Sequence, residues 1–300
     1  MGAPRRILVT GAGGFVGSHL LPVLRAAYPD AALVGFTADV TDRPAVLAEV
    51  AAAAPDAIVH LAAIAAIGAA RQDPGRAWAV NLQGTLNVAE AVRTHAPDAT
   101  LLYASTADLY GATFRGGVPV DEDGVLAPLN TYGATKAAAD LALGAMAAEG
   151  LRVVRMRPFN HTGPGQSDAF VVSAFARQVA RIAAGQQPPV LQVGDLSPLR
   201  DFLDVRDVCA AYALVLNVDL PPGTILNVAS GQPRRVGDVL RDLLAQAGVA
   251  AEIQTDTARL RPSDIPTATG NADRLRALGW TPAVPWAQTL GDTLAHWSAR

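Results

Sequence analysis

The segment Gly11-Ala12-Gly13-Gly14-Phe15-Val16-Gly17 follows the aliphatic run Ile7 to Val9 and opens an amphipathic stretch. Its glycines therefore stand where a strand turns into a helix. A chain can turn there with positive φ, admit a phosphate close to its backbone and pack helix tightly on strand only if side chains are missing at those points. The helix start adds unpaired amide hydrogens and a partial positive charge, which suit a pyrophosphate. The turn thus predicts a dinucleotide site formed by Gly11, Gly13, Gly14, Phe15, Val16 and Gly17.

The rest of the first half agrees with that turn. Short aliphatic runs alternate with long Ala- and Leu-rich amphipathic segments, the pattern of a parallel sheet with crossover helices. Strands are expected at 6–10, 32–36, 57–60, 100–104 and 151–156. Helices are expected at 14–27, 44–53, 74–95 and 131–148, the first carrying an internal Pro22. Asp39-Val40-Thr41-Asp42 comes almost directly after the second strand, so one βα unit is trimmed; Asp42, two residues before Pro44, reads as a helix N-cap. After residue 157 the texture turns richer in Pro, Gly and Arg, with helices at 170–184, 205–217, 236–247 and 285–297. We therefore expect an α/β protein, a Rossmann-type doubly wound parallel sheet over residues 1–157 with a smaller α/β substrate domain over 158–300, the two interleaved. Half of the 300 residues are apolar, enough for a sizeable core.

Net charge is -3 without basic blocks, which gives no footprint for nucleic acid or an anionic membrane. The longest apolar stretch, Leu61 to Ala70, is far short of the roughly 20 residues a span requires. Arg5 and Arg6 before Ile7 imitate a signal peptide, but the apolar run stops at Thr10 in the glycine turn. Cys209 is alone, which excludes an intrachain disulfide and a multi-thiolate metal site. A cytoplasmic protein with a small-molecule ligand and no metal is expected.

Tyr132 and Lys136 lie four residues apart, on one face of the helix expected at 131–148. An ammonium beside a phenol stabilises phenolate and makes the phenol an acid or base near neutrality. The small and apolar residues Ala137 to Leu143 argue against a solvated face. Together with the glycine turn, His60-Leu61-Ala62-Ala63 at a strand end, Ser105-Thr106-Ala107-Asp108-Leu109-Tyr110-Gly111 and Tyr132/Lys136 form an ordered series that resembles the extended short-chain dehydrogenase/reductase family. The resemblance implies that Thr106 binds the substrate oxygen, Tyr132 passes the proton, and Lys136 holds the nicotinamide ribose. Asn81 would support the proton path. Asp39, Val40, Leu61, Ala62, Ala63, Asn81 and Pro158 would join the glycine turn, Tyr132 and Lys136 in holding NAD or NADP. Asp39 and Arg43 argue opposite ways on the 2′-phosphate, which leaves NADH against NADPH open. His60 reads as a structural strand-end residue.

In the second half Arg157-Pro158-Phe159-Asn160-His161-Thr162-Gly163-Pro164-Gly165-Gln166, Phe170-Val171-Val172, Arg200 to Asp207 and Arg261-Pro262-Ser263-Asp264 resemble the GDP-6-deoxy-D-mannose reductases. That likeness, over essentially the whole chain, implies NAD(P)H-dependent reduction at C4 of a GDP-4-keto-6-deoxyhexose. Thr106 and Asp108 would lie by the sugar, Asn160, Arg200 and Arg261 by the diphosphate, and Phe170 and Val171 by the base. GDP-mannose 4,6-dehydratase is the nearest rival. Its elimination needs a base and a proton donor after the catalytic Thr, where this chain has Ala107 and Asp108. A non-catalytic dinucleotide sensor is a further alternative, opposed by the complete Thr106/Tyr132/Lys136 set. The family habit of pairing two helices per subunit in a four-helix bundle implies a homodimer through 74–95 and 131–148.

Overall fold

The computed structural model describes residues 3–257 and 265–300. The first half runs β1 (Arg6–Thr10), α1 (Phe15–Ala27), β2 (Ala32–Gly35), α2 (Arg43–Ala53), β3 (Ala57–His60), α3 (Ile67–Gln72) and α4 (Pro74–Trp78). A π-helical turn (Ala79–Gly84) leads into α5 (Thr85–His95), followed by β4 (Thr100–Ala104), α6 (Thr131–Ala148) and β5 (Val153–Pro158). The second half runs β6 (Asn160–Thr162), α7 (Val171–Ala183), β7 (Val190–Val193), β8 (Leu199–Asp204), α8 (Val205–Val215), β9 (Ile225–Val228) and β10 (Pro233–Arg235). It ends with α9 (Val236–Ala247), β11 (Glu252–Thr255), β12 (Thr267–Ala268), α10 (Asp273–Ala277) and α11 (Trp286–Ser298).

The main sheet is six-stranded in the order β2-β1-β3-β4-β5-β9, parallel throughout. This is the expected doubly wound architecture. The order reverses between β1 and β3, which opens a ligand crevice at their carboxyl ends. Both faces of the sheet are covered, so its strands show no polar alternation. Ile7, Val9, Val59 and Leu102 pack on the α1 and α8 side, while Leu8, Ile58, Leu101 and Tyr103 pack on the α2, α5 and α6 side, all of them buried. Each such aliphatic side chain contributes about 1.5–3 kcal/mol on leaving water. Asp42 caps α2, its carboxylate accepting from Ala45 N at 3.2 Å.

The second half does not stay apart. It sends α8 against α1 and adds β9 to the main sheet. The remainder forms a smaller lobe, in which β10, β8 and β12 make a small sheet joined by β6, and β11 pairs with β7. That lobe has its own core of Phe175, Val179, Leu191, Leu240, Leu243 and Leu290. Two local expectations change: the helix expected at 74–95 is interrupted by the π turn, and the strand expected at 151–156 runs instead over Val153–Pro158.

Candidate active site

The glycine turn has the shape its residues require. Gly11 has φ +68°, and a Cβ there would stand 2.9 Å from Ala62 N. One at Gly17 would stand 2.4 Å from the Ala12 carbonyl oxygen. At Gly13 the opposite holds, because a Cβ would meet no heavy atom within 4 Å. Gly14 caps α1 without any side-chain bond, so the first amides of the helix, from Phe15 and Val16 onward, are open to a ligand's phosphates. Thr10 Oγ1 accepts from Leu61 N at 3.1 Å and Ala62 N at 3.2 Å, which ties the β3 exit, with Ala63 next in line, beside the turn. These residues fit a dinucleotide.

After β2, Asp39 is exposed and Val40 buried. A Cβ at Gly84 would come within 2.6 Å of Val40 Cγ2, and Asn87 Nδ2 donates to Val40 O at 2.9 Å, so the backbone here is clamped by the long helical segment. Hydrogen bonds from the Thr41 amide and hydroxyl, with help from Arg76, hold the Asp39 carboxyl below the usual carboxylate range. Arg76 pairs with Asp39 at 3.2 Å. Arg43, the residue set against Asp39 in the sequence, is instead drawn to Glu90, donating through Nε at 2.7 Å.

Thr106, Tyr132 and Lys136 are brought toward one another by two local features. Asn130 caps α6, accepting from Gly133 N at 2.8 Å, which puts Tyr132 in the first turn. Gly133 then lets the 3-10 turn Ala107–Leu109 press close, since a Cβ there would sit 2.8 Å from Asp108 O. Thr106 caps that turn, its hydroxyl accepting from Asp108 N at 3.2 Å. Tyr132 and Thr106 are both buried. Burial pushes the phenol pKa well up, the Asp108 charge adds to this, and the Thr106 hydroxyl opposes it. The phenol therefore holds its proton, as an acid for ketone reduction must.

One turn further along α6, Lys136 Nζ donates to Ala104 O at 2.6 Å and lies 4.1 Å over the Tyr103 ring. Burial lowers this ammonium to about 7, with Asp140 opposing. Lys136 is not among the groups that shift the Tyr132 phenol here; its contacts are Ala104 and Tyr103. Asn81 lies in the π turn. Its side chain accepts from Ile64 N at 2.8 Å and donates to Ile64 O at 3.1 Å and Thr135 Oγ1 at 2.9 Å. It thereby links the loop after β3 to the catalytic helix. A π turn offsets the helix so that one side chain can reach out in this way. His60 bridges Thr10 and Thr85 at 2.7 and 3.0 Å, and burial drives its pKa down to about 3, so it is a neutral structural residue.

The second lobe supplies the facing wall. Arg200 donates to Leu199 O and Ile265 O at 2.8 and 3.2 Å, and its charge acts on the Asp108 carboxyl. Pro158 ends β5, Asn160 starts β6, Phe170 caps α7, and Val171 begins that helix with 38% of its surface exposed. Arg261 lies outside the described residues. Asp201, by contrast, is consumed by structure, accepting from Ser230 N, Gly231 N and Gly270 N.

Two residues near the site escaped the sequence reading. Asp140, one turn beyond Lys136, receives Arg157 through Nη2 at 2.8 Å and Nε at 3.2 Å, and the partly exposed Arg155 at 3.1 Å. Arg157 also donates to Tyr110 Oη at 3.0 Å, which in turn donates to Asn227 at 2.8 Å. The i, i+4 spacing of Lys136 and Asp140 was the available signal. Among the described residues no cluster of three or more His, Cys, Asp or Glu could hold a metal, and no helix is long and apolar enough to cross a membrane.

A glycine turn at the sheet's switch point, with a Thr-Tyr-Lys group at the carboxyl end of β4, defines an NAD(P)-dependent oxidoreductase of the extended short-chain type. The chain belongs to the NAD dependent epimerase/dehydratase family, whose profile matches residues 7–229. It is 39% identical over 300 residues to the GDP-6-deoxy-D-mannose reductase of Pseudomonas aeruginosa, covering 99% of this chain and 98% of that one. It is 30% identical to the UDP-glucose 4-epimerase of Azospirillum brasilense, covering 98% and 95%. A solved structure of RMD from Pseudomonas aeruginosa complexed with NADPH superposes with a TM-score of 0.91 at 37% identity, covering 99% of each chain. The Thermus thermophilus UDP-glucose 4-epimerase complex with NAD gives 0.84 at 30% identity, covering 97% and 98%.

Proposed function

We propose that this protein reduces the C4 ketone of GDP-4-keto-6-deoxy-D-mannose to a GDP-6-deoxyhexose of the GDP-rhamnose type, using NADPH or NADH. The observation that carries the reading is the buried phenol of Tyr132, one helical turn from the buried Lys136 and brought against the turn that Thr106 caps by the close approach at Gly133. The 39% identity to a GDP-6-deoxy-D-mannose reductase supports the choice of substrate.

Bound at the glycine turn, the reduced nicotinamide would supply the hydride. Thr106 and Tyr132 hold the ketone oxygen, and Tyr132 gives it a proton as negative charge develops. Lys136 holds the ribose. Asn81 keeps the loop after β3 in register with α6. Asn160, Arg200 and Arg261 bind the diphosphate, and Phe170 and Val171 border the base. Residues 1–157 hold the cofactor and residues 158–300 the sugar nucleotide, apart from α8 and β9.

Purified protein mixed with GDP-4-keto-6-deoxymannose should consume NADPH or NADH, read as loss of the reduced cofactor's absorbance. No turnover with either would overturn the assignment, and release of water from GDP-mannose would replace it with the dehydratase reading. A homodimer through the helical run 74–95 and α6 accounts for exposed Trp78 and Leu141. Light scattering at micromolar concentration should give twice the chain mass. A cytoplasmic location agrees with the single buried thiol of Cys209.

A further inference from the structure

Strand β2 ends without an acid or an arginine to read the adenosine ribose of a dinucleotide, since Phe36-Thr37-Ala38 carries neither. A carboxylate reaches that place from another element. Glu49, two turns into α2, accepts through Oε1 from the Thr37 amide at 2.6 Å and the Thr37 hydroxyl at 3.2 Å, and through Oε2 from the Ala38 amide at 2.8 Å. Phe36 N donates to Val9 O at 3.1 Å, so Thr37 and Ala38 leave the sheet beside the end of β1 that leads into Gly11. A Cβ at Gly35, like one at Gly13, would meet no heavy atom within 4 Å, which leaves room beside both strand ends. The cations of this region have carboxylate partners of their own. Arg43 donates to Glu90 through Nε at 2.7 Å and Nη2 at 2.5 Å, and Arg76 pairs with Asp39 at 3.2 Å. Glu49 forms no ion pair among the described residues.

A 2′-phosphate is held by positive charge or by free amide donors. Here the two amides after β2 are already occupied by a carboxylate, and a second anion beside it is repelled. A 2′-hydroxyl asks for the opposite, an acceptor. A carboxylate offers about four acceptor positions, and the three bonds from Thr37 and Ala38 leave one open on Oε2. We propose that Glu49 sets the choice of cofactor, accepting from the adenosine 2′-hydroxyl and repelling a 2′-phosphate, so that this protein prefers NADH to NADPH. The inference rests on the dinucleotide reading of the glycine turn. The deciding acid comes from a helix instead of the strand end, and the trimmed connection after β2 is what brings α2 within its reach.

The test is direct binding of NADH and of NADPH to the protein without sugar nucleotide, read by fluorescence of the reduced nicotinamide. At low salt the wild type should bind NADH at least about tenfold more tightly than NADPH, and the gap should narrow as ~1 M salt screens the charge. Glu49→Gln keeps the size and removes the charge, and it should bring the two affinities within about threefold, chiefly by tightening NADPH. Wild-type protein that binds NADPH as tightly as NADH, or more tightly, would overturn the inference whether or not the variant folds. A carboxylate that merely pins the turn would weaken both coenzymes alike in Glu49→Gln, and that unchanged ratio would overturn it too. Failure of both coenzymes to bind removes the dinucleotide reading itself, whereas tight binding without preference removes only the role of Glu49.

Discussion

The ammonium of Lys136 stands 4.1 Å above the ring of Tyr103, in a pocket closed to water. Only Asp140 opposes the desolvation that brings this lysine down to about 7. Its charge therefore titrates in the working range, and kcat/KM should decline as pH rises through about 7 in the free enzyme. Lys136→Arg stays charged and should lose that alkaline limb, whatever its absolute rate. The sign for stability is opposite. Between about 7 and the ordinary lysine value, the unfolded chain holds a proton the folded chain has released, so this group makes stability rise with pH there. Denaturant titrations of wild type and Lys136→Met across that window measure the difference.

Tyr132→Phe keeps the ring and removes the only proton the phenol can give. The reduction rate should fall by about 10²–10⁴-fold. Cofactor affinity, followed by fluorescence of the bound reduced nicotinamide, should stay within a few fold. A sensor would show no change of either kind, and a variant with wild-type rate would remove Tyr132 from the chemistry.

Gly17→Ala places a methyl 2.4 Å from the Ala12 carbonyl oxygen, which cannot move without deforming the phosphate turn. A loss of about 1–3 kcal/mol in stability is expected, together with weaker dinucleotide binding. Gly13→Ala meets no protein atom within 4 Å. It should leave stability nearly unchanged and weaken binding alone, a contrast that calorimetry of the two variants reads directly.

Arg157→Met leaves the buried Asp140 carboxylate with Arg155 as its remaining partner and strands the Tyr110 hydroxyl's second contact. Breaking one side of a buried pair costs about 3–5 kcal/mol. Arg157→Met combined with Asp140→Leu should recover only part of that loss in denaturation experiments, since it removes the stranded carboxylate but leaves Arg155 with carbonyl acceptors alone.

His60 adds a second pH dependence. Its folded value of about 3 lies below that of the unfolded chain, so the unfolded state gains a proton first as pH falls through the ordinary histidine range. Stability should drop progressively on acidification, and His60→Asn should flatten that part of the curve.

Much of this was legible in the chain itself. Strands β1, β3 and β4 begin and end where the aliphatic runs do, because a parallel strand buried on both faces reads as a continuous apolar segment. The helices of the small lobe were legible as well, but its strands were not. Its strands β6, β7, β10 and β12 span two to four residues and mix polar with apolar side chains, too short for a period of two to register. The π turn escaped for a different reason. Its cause is Asn81 bonding to Ile64 and Thr135, residues distant in sequence, and helical periodicity carries no trace of that.

The amino-acid sequence alone determined the glycine turn, the i, i+4 placement of Tyr132 and Lys136, and the trimmed connection after β2, since each depends on missing side chains or helical spacing within one segment. Tertiary structure decided the rest. It brought the turn that Thr106 caps against Tyr132 through the close approach at Gly133, turned Arg43 away to Glu90, and buried Asp140 against Arg157 and Arg155. Those outcomes depend on which surfaces meet when the sheet closes and on how far burial shifts each charge, and both arise only from residues brought together across the fold.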